Sequence, residues 1–398
     1  MKILFISDVP LNQPSSGSEK MLSWQATELS RRGLDVFAIT RQHNLQDYIV
    51  RDVSGVTEAS YYGSPQNFFR FIFSLLKYPV KFYRRFVQTS TFNVAISHQP
   101  FNSFILLITT KLKRLPLLYN FHSPAHEEYL LVNENKSELR NFFPSKLRML
   151  IENYCVKRAQ KVMVESLYMK QKVVDIHRFP ADKIIVNPGG VNIHRYQPFE
   201  CRELIKKNLD FPSGKTHILT VRNLEARMGL DNLIRAIYLL KRNSVKVHLV
   251  IGGEGPERQK LQNLIEERGL VKEISMRGFI PQEQLPRYYA AADFFVIPTR
   301  DLEGFGLVTL ESLACGTPVL GTPIGGTKEI LSGFDSQFLF NGVSPEAIAQ
   351  GIQAAIVGFF NNAEQYNELR LRCRKYAETN YSWQRHIDQL EELIDEIQ

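Results

Sequence analysis

Between Glu58 and Glu127 the sequence has no acidic residue, although the chain carries 41 of them. The same span holds Arg70, Lys77, Lys81, Arg84, Arg85, Lys111, Lys113 and Arg114, so the net charge of +8 is concentrated there. Cysteine is scarce. Cys155, Cys201, Cys315 and Cys373 show neither metal-ligand spacing nor a disulfide framework, which argues against a stapled secreted domain and for a reducing cytosol. No apolar run approaches the length of a membrane-spanning helix. The opening MKILFISDVP has one basic residue and is interrupted by Asp8, so it does not read as a signal peptide. The expected location is cytoplasmic, with peripheral contact at the inner face of the membrane as an extension of it. Repeats and low-complexity tracts are missing too. No nucleic-acid-binding module accompanies the positive charge, so no nucleic-acid partner is expected.

What is present is an alternation. A chain of 398 residues exceeds what one hydrophobic core usually supports, so two domains are expected. KILFIS, DVFAIT, NVAISH, PLLYNFH and KVMVES read as strands with helical stretches between them. After IIVNPGGVNIHRYQP the alternation restarts with HILTV, KVHLVIGG, EISMRGF, DFFVIP and TPVLG. Strands alternating with helices imply parallel sheets covered on both faces, hence an α/β chain of two doubly wound Rossmann-like domains. The expected division is 1–188, 189–375 and a terminal helix at 376–398 that packs back toward the first domain. Such domains bind ligand at the carboxyl ends of their strands, in a cleft. Ser16 and Glu19 form a capping box for the first long helix. Within residues 66–88, Phe68, Phe69, Ile72, Leu75 and Leu76 share one helical face, with Arg70 and Lys77 opposite and Pro79 interrupting. This segment suits either an anionic membrane surface or a core helix with a solvated basic side.

The stretch EGFGLVTLESLACGTPVLGTPIGG, from Glu303 to Gly326, carries the chemistry. A helix beginning near Gly306 and ending at Gly316 puts Glu311 among Leu307, Leu310, Ala314 and Cys315. A carboxylate there is costly unless something hydrogen-bonds to it: a structural partner, or ligand hydroxyls. Glu303 lies one turn earlier. The amides of Phe305, Gly306, Leu307 and Val308 face a helix N-terminus, a natural seat for phosphate. VRNLEARMG brings Arg222 and Arg227 to the end of another strand, where guanidinium groups suit a diphosphate. Gly253, in GGEGP, permits a tight turn beside a ligand.

These motifs, in the order VRNLEARMGLDNLIRA, IGGEGP, RGFIPQEQLPRYYAAADFFVIPT and EGFGLVTLESLACGTPVLGTPIGGTKEI, resemble a retaining nucleotide-sugar glycosyltransferase of family 4, with the two-domain GT-B architecture. The likeness is continuous from about Asn187 to Ser332 and looser before it, through Gly17, ISHQP and NFHSPAHEE. It implies that Glu311 binds the ribose and Glu303 the donor sugar. Amides around Phe305, Gly306, Leu307 and Val308 would hold the distal phosphate, with Gly17 letting the N-terminal helix approach it. Backbone near Phe279 and Ile280 would read the base. His122 would stand beside the reacting sugar unless it is a core histidine, with His98 and His126 as lesser candidates. The partners implied are a nucleotide sugar and a glycan or lipid-linked acceptor. The family's phosphate site reads Arg-Leu-x-x-x-Lys-Gly, whereas Asn223 and Met228 replace both cations and Arg222 and Arg227 precede each. Asp301 and Glu303 mimic a D-x-D metal pair, but their context points away from a metal, and no cofactor is expected. Two other readings stay open: a soluble-acceptor glycosyltransferase, and a catalytically silent nucleotide-binding partner subunit.

Overall fold

A computed structural model describes residues 1–12, 16–42, 47–63, 68–89, 91–133, 137–360 and 362–398, without the side chains of 68–71, 87–89, 359 and 360. The chain forms two compact units, Met1–Pro188 with Gln384–Gln398, and Gly189–Trp383.

The first unit runs β1 (Lys2–Ile6), α1 (Gly17–Arg31), β2 (Asp35–Gln42), β3 (Tyr48–Val53), β4 (Val56–Tyr62), α2 (Phe68–Thr89), β5 (Val94–Ser97) and α3 (Pro100–Thr109). It continues β6 (Leu117–Phe121), α4 (Ala125–Val132), α5 (Glu138–Arg158), β7 (Lys161–Val164), α6 (Leu167–His177) and β8 (Ile184–Val186). The sheet order is β3-β4-β2-β1-β5-β6-β7-β8. All neighbours are parallel except β3 and β4. The inner strands are buried on both faces, which is why they read as apolar runs. Right-handed crossovers put α1 on one face and α2, α3 and α5 on the other. Accordingly α3 packs against both α2 and α5.

Three features differ from the sequence expectation. The β3–β4 hairpin was hidden in a stretch with no assigned element; its two-residue turn, Ser54–Gly55, has φ 54 and 87, the left-handed pair that a tight hairpin needs. Pro79 lies inside α2 without ending it. Finally, the boundary expected at 375/376 falls inside a helix of the second unit, and the chain passes between units at Trp383/Gln384.

The second unit comprises α7 (Arg202–Asn208), β9 (Thr216–Val221), α8 (Leu230–Arg242), β10 (Val247–Gly252), α9 (Arg258–Glu267), β11 (Ile274–Gly278), α10 (Leu285–Ala291) and β12 (Phe294–Ile297). Then follow α11 (Leu307–Ala314), β13 (Val319–Gly321), α12 (Gly325–Phe334), α13 (Pro345–Ala355) and α14 (Ala363–Asn380), after which α15 (Trp383–Ile397) returns to the first unit. Its parallel sheet has the order β11-β10-β9-β12-β13. The chain therefore steps outward from β9 in one direction and from β12 in the other, so the topological switch lies between β9 and β12. In the first unit, Ile387, Leu390, Leu393, Ile394 and Ile397 of α15 join Leu22, Ala26 and Leu29 of α1 and Ile3 and Phe5 of β1 in one core.

Candidate functional site

Each unit gathers polar residues at the carboxyl ends of its strands. In the second unit the switch point brings together Arg222, one residue past β9, and the loop after β12. Arg222 ion-pairs with Glu303, both side chains being less than a tenth exposed. Thr299 Oγ1 donates to the same carboxylate oxygen at 3.0 Å. The Arg222 guanidinium also lies 2.9 Å from Met228 Sδ. The Arg222 guanidinium thus lies against Met228, whose side chain is buried in the core. Arg222 Nε is buried and, among the described residues, has no hydrogen-bond partner.

Arg227 goes elsewhere. Its Nε donates to Glu225 at 2.9 Å and its Nη1 to the Leu302 carbonyl at 2.7 Å. Leu302 has φ 51, a left-handed conformation that costs a branched side chain energy, so Arg227 braces a strained loop. Asp301 caps the amide of Leu302 and is exposed, whereas Glu303 is buried; the two carboxylates of the D-x-D look-alike serve different bonds.

Gly306, with φ 98, precedes α11, and Thr309 N turns back to its carbonyl at 2.9 Å. The amides of Leu307 and Val308 are the first-turn donors that helix geometry leaves without an intrahelical acceptor. Phe305 is buried, its ring 6.0 Å from that of Tyr381. Gly325 and Gly326 support this loop, the amide of Gly326 donating to the Glu303 carbonyl at 3.0 Å. Glu311 is 5% exposed. Tyr289 donates to it at 2.9 Å, and the Tyr196 hydroxyl bonds it as well. Burial, followed by the Glu311 charge, holds both phenols well above their usual range, so they stay donors. Gly253 donates its amide to the Gly278 carbonyl at 2.7 Å and packs its α-carbon on the Arg222 carbonyl, so its small size serves the protein's own loops. Phe279 is exposed and Ile280 buried, directly after β11.

In the first unit, His98, His122 and Glu165 each stand one residue beyond β5, β6 and β7, three neighbouring strands. His122 Nδ1 lies 2.6 Å from Glu165 Oε1, and His122 Nε2 lies 2.9 Å from His98 Nδ1. The carboxylate fixes the tautomer: His122 donates from Nδ1 and accepts at Nε2 from His98. Both ring nitrogens of His122 are therefore engaged within the protein. His98 Nε2 is buried and, among the described residues, has no partner. Burial first, then the neighbouring His122 and His386, push the His98 imidazole well below its usual range, so it is neutral. His126 sits in the first turn of α4, its Nδ1 buried and without a hydrogen-bond partner among the described residues. Gly17 opens α1 behind the Ser16–Glu19 capping box. Thr299, Tyr196, Tyr289 and Glu165 escaped the sequence reading. Glu165 had a signal, being an acid at the end of an apolar strand.

The family model for glycosyl transferases group 1 matches residues 202–380, and that for glycosyltransferase family 4 matches residues 15–195. A D-inositol 3-phosphate glycosyltransferase of Thermobispora bispora is 24% identical over 413 residues, covering 97% of this chain and 92% of that protein. A GDP-mannose-dependent alpha-(1-6)-phosphatidylinositol monomannoside mannosyltransferase of Mycolicibacterium smegmatis is 28% identical over 52% of this chain and 55% of that one. Among solved structures, sucrose-phosphate synthase from Thermosynechococcus elongatus superposes with a TM-score of 0.83 at 18% identity, over 100% of this chain and 99% of that one. Anabaena Alr3699/HepE in complex with UDP and glucose gives 0.76 at 17% identity over the whole of both chains. The chain belongs to glycosyltransferase family 4 and has the GT-B fold of two Rossmann-like domains.

Proposed function

We propose that the protein transfers a hexose-type sugar from a nucleotide diphosphate sugar to an acceptor hydroxyl, keeping the anomeric configuration and using no metal. The observation that carries this reading is the Arg222–Glu303 pair at the switch point of the second unit, with a buried Arg222 Nε beside it. Glu311, held by Tyr289 and Tyr196, offers a fixed carboxylate to ribose hydroxyls. Glu303 takes hydroxyls of the donor sugar. Leu307 and Val308 amides, with Phe305 and Gly306 shaping the turn, hold the distal phosphate at the start of α11. Phe279 and Ile280 border the base.

As the bond from the anomeric carbon to the diphosphate oxygen breaks, Arg222 and the α11 terminus stabilise the charge left on that oxygen. The acceptor oxygen bonds to the same face of the anomeric carbon, and its proton passes to the leaving phosphate. Arg227 acts by fixing the loop that presents Glu303. The first unit handles the acceptor, with His122 positioned by Glu165 for a hydroxyl. The acid-free segment 66–88 points to a glycan or lipid-linked acceptor at the cytoplasmic face of a membrane.

A thermal-shift panel with UDP, GDP, ADP and their sugar conjugates tests the donor half. One nucleotide at a hundred times its dissociation constant adds about 2.7 kcal/mol of stability. Glu311→Ala should abolish that shift. A silent panel would mean that Arg222 does not rebuild the phosphate site, and would favour a chain that binds no donor.

A further inference from the structure

Helix α5 is inside out. Asn141, Ser145 and Glu152 are buried with Cys155 and Val156. Leu139, Phe142, Phe143, Leu147, Leu150 and Tyr154 are 42–89% exposed. At about 100° per residue these six lie within roughly 140° of the helix circumference, a sector that also holds Lys146 and Lys157 and neither acid of the helix. A helix with an apolar stripe ordinarily turns it to the core, so a stripe turned outward calls for a cover.

The same face of the sheet carries α2, with α3 packed between. Leu75, Tyr78, Phe82 and Phe86 of α2 are buried, while Phe73 and Leu76 are exposed. Beside them lies a groove of about 460 Å³ lined by Leu76, Lys77, Val80, Lys81, Arg84 and Arg85. Four cations and no acid line it. Lysines also stand over outward aromatic rings, Lys146 5.4 Å from Phe142 and Lys77 5.3 Å from Phe73. Interfaces between proteins are poor in lysine. Aromatic and aliphatic groups interleaved with lysines instead fit the boundary between acyl chains and anionic headgroups.

We infer that the outward stripe of α5 docks on an anionic lipid bilayer, inserting Phe142 and Phe143 while the α2 groove takes headgroup phosphates. This rests on the membrane reading of residues 66–88 and extends it to a second element. The test is flotation of the full chain with phosphatidylcholine vesicles, with and without phosphatidylglycerol. The wild type should float only with the anionic vesicles, and less at high salt. Phe142→Ser with Phe143→Ser should lower partitioning about tenfold, and Lys81→Ala with Arg85→Ala about fivefold per charge. Both variants should keep the nucleotide-induced thermal shift, which separates this proposal from the donor reading. If only the α2 variant loses binding, α5 is not a membrane element while the reading of 66–88 stands. If the wild type binds no vesicle, both fall. A wild-type dimer that the double phenylalanine variant converts to a monomer would make the cover a second copy, and overturn the proposal.

Discussion

Inside the second unit, the charges of Arg222 and Glu303 are tolerable only because each faces the other. Arg222→Met strands a buried carboxylate and should cost about 3 kcal/mol in denaturant unfolding, together with the nucleotide shift. Glu303→Gln keeps the shape and loses the charge. Transfer should fall by about two to three orders of magnitude, with binding of the sugar-free nucleoside diphosphate little changed. Equal loss of both ligands would reduce Glu303 to a structural role. Glu165→Gln tests the other unit: its amide nitrogen can turn toward His122 Nδ1 and favour the opposite tautomer. Transfer should drop about a hundredfold without loss of thermal stability, and Glu165→Asp should recover part of it. Glu303 and Glu311 drew attention in the sequence because a carboxylate in an apolar frame stands out, and Arg222 because it follows an apolar strand. Tyr289 and Tyr196 were not, since a tyrosine in an apolar run reads as core, and its hydroxyl partner is set by tertiary packing. Nor could spacing tell Arg222 from Arg227; which of the two reaches Glu303 depends on the curvature of the β9 loop.

At the scale of elements, the loop before α11 is held from behind by the first turn of α12. Gly325 has φ 53, and an added Cβ would lie 2.0 Å from the Glu303 carbonyl oxygen. Gly325→Ala should therefore displace the loop, costing about 3 kcal/mol and the nucleotide shift. Gly269 has φ 61 with open space around it, so Gly269→Ala isolates the backbone term at about 1 kcal/mol and should leave nucleotide binding intact. Matching losses at the two sites would show that the Glu303 contact is unimportant. The parallel strands and their helices were readable because burial on both faces writes continuous apolar runs. The β3–β4 hairpin was not: β3 lies at the sheet edge with three exposed residues in succession, and its sequence lacks a clear alternation. Pro79 misled for a related reason, because α2 is pinned along its length by Leu75, Tyr78, Phe82 and Phe86, and that packing outweighs one lost hydrogen bond.

At the scale of the molecule, α15 closes the core of the first unit and brings His386 into a buried polar chain. His386 Nδ1 donates to the Pro188 carbonyl at 2.9 Å, and Gln25 Nε2 lies 2.9 Å from its Nε2. Burial lowers its pKa from 6.5 to about 4. The folded form thus binds fewer protons than the unfolded one in that window. Its contribution is fully present above pH 6.5 and is lost as pH falls toward 4, about 3 kcal/mol in all. His386→Gln, which preserves a donor and an acceptor, should flatten unfolding free energy against pH by about 1.4 kcal/mol per unit between those values. An unchanged slope would mean that His386 is not the group responsible.

The return of α15 also has a consequence for synthesis. Residues 384–398 complete a core whose other members begin at Ile3. On the ribosome, the second unit has all of its parts as soon as Trp383 has emerged, while the first, although made earlier, still waits for its closing helix. Domains ordinarily finish in the order in which they are translated. In this chain the order of completion is reversed, and the unit bearing His122 and the outward stripe of α5 is the last to become whole.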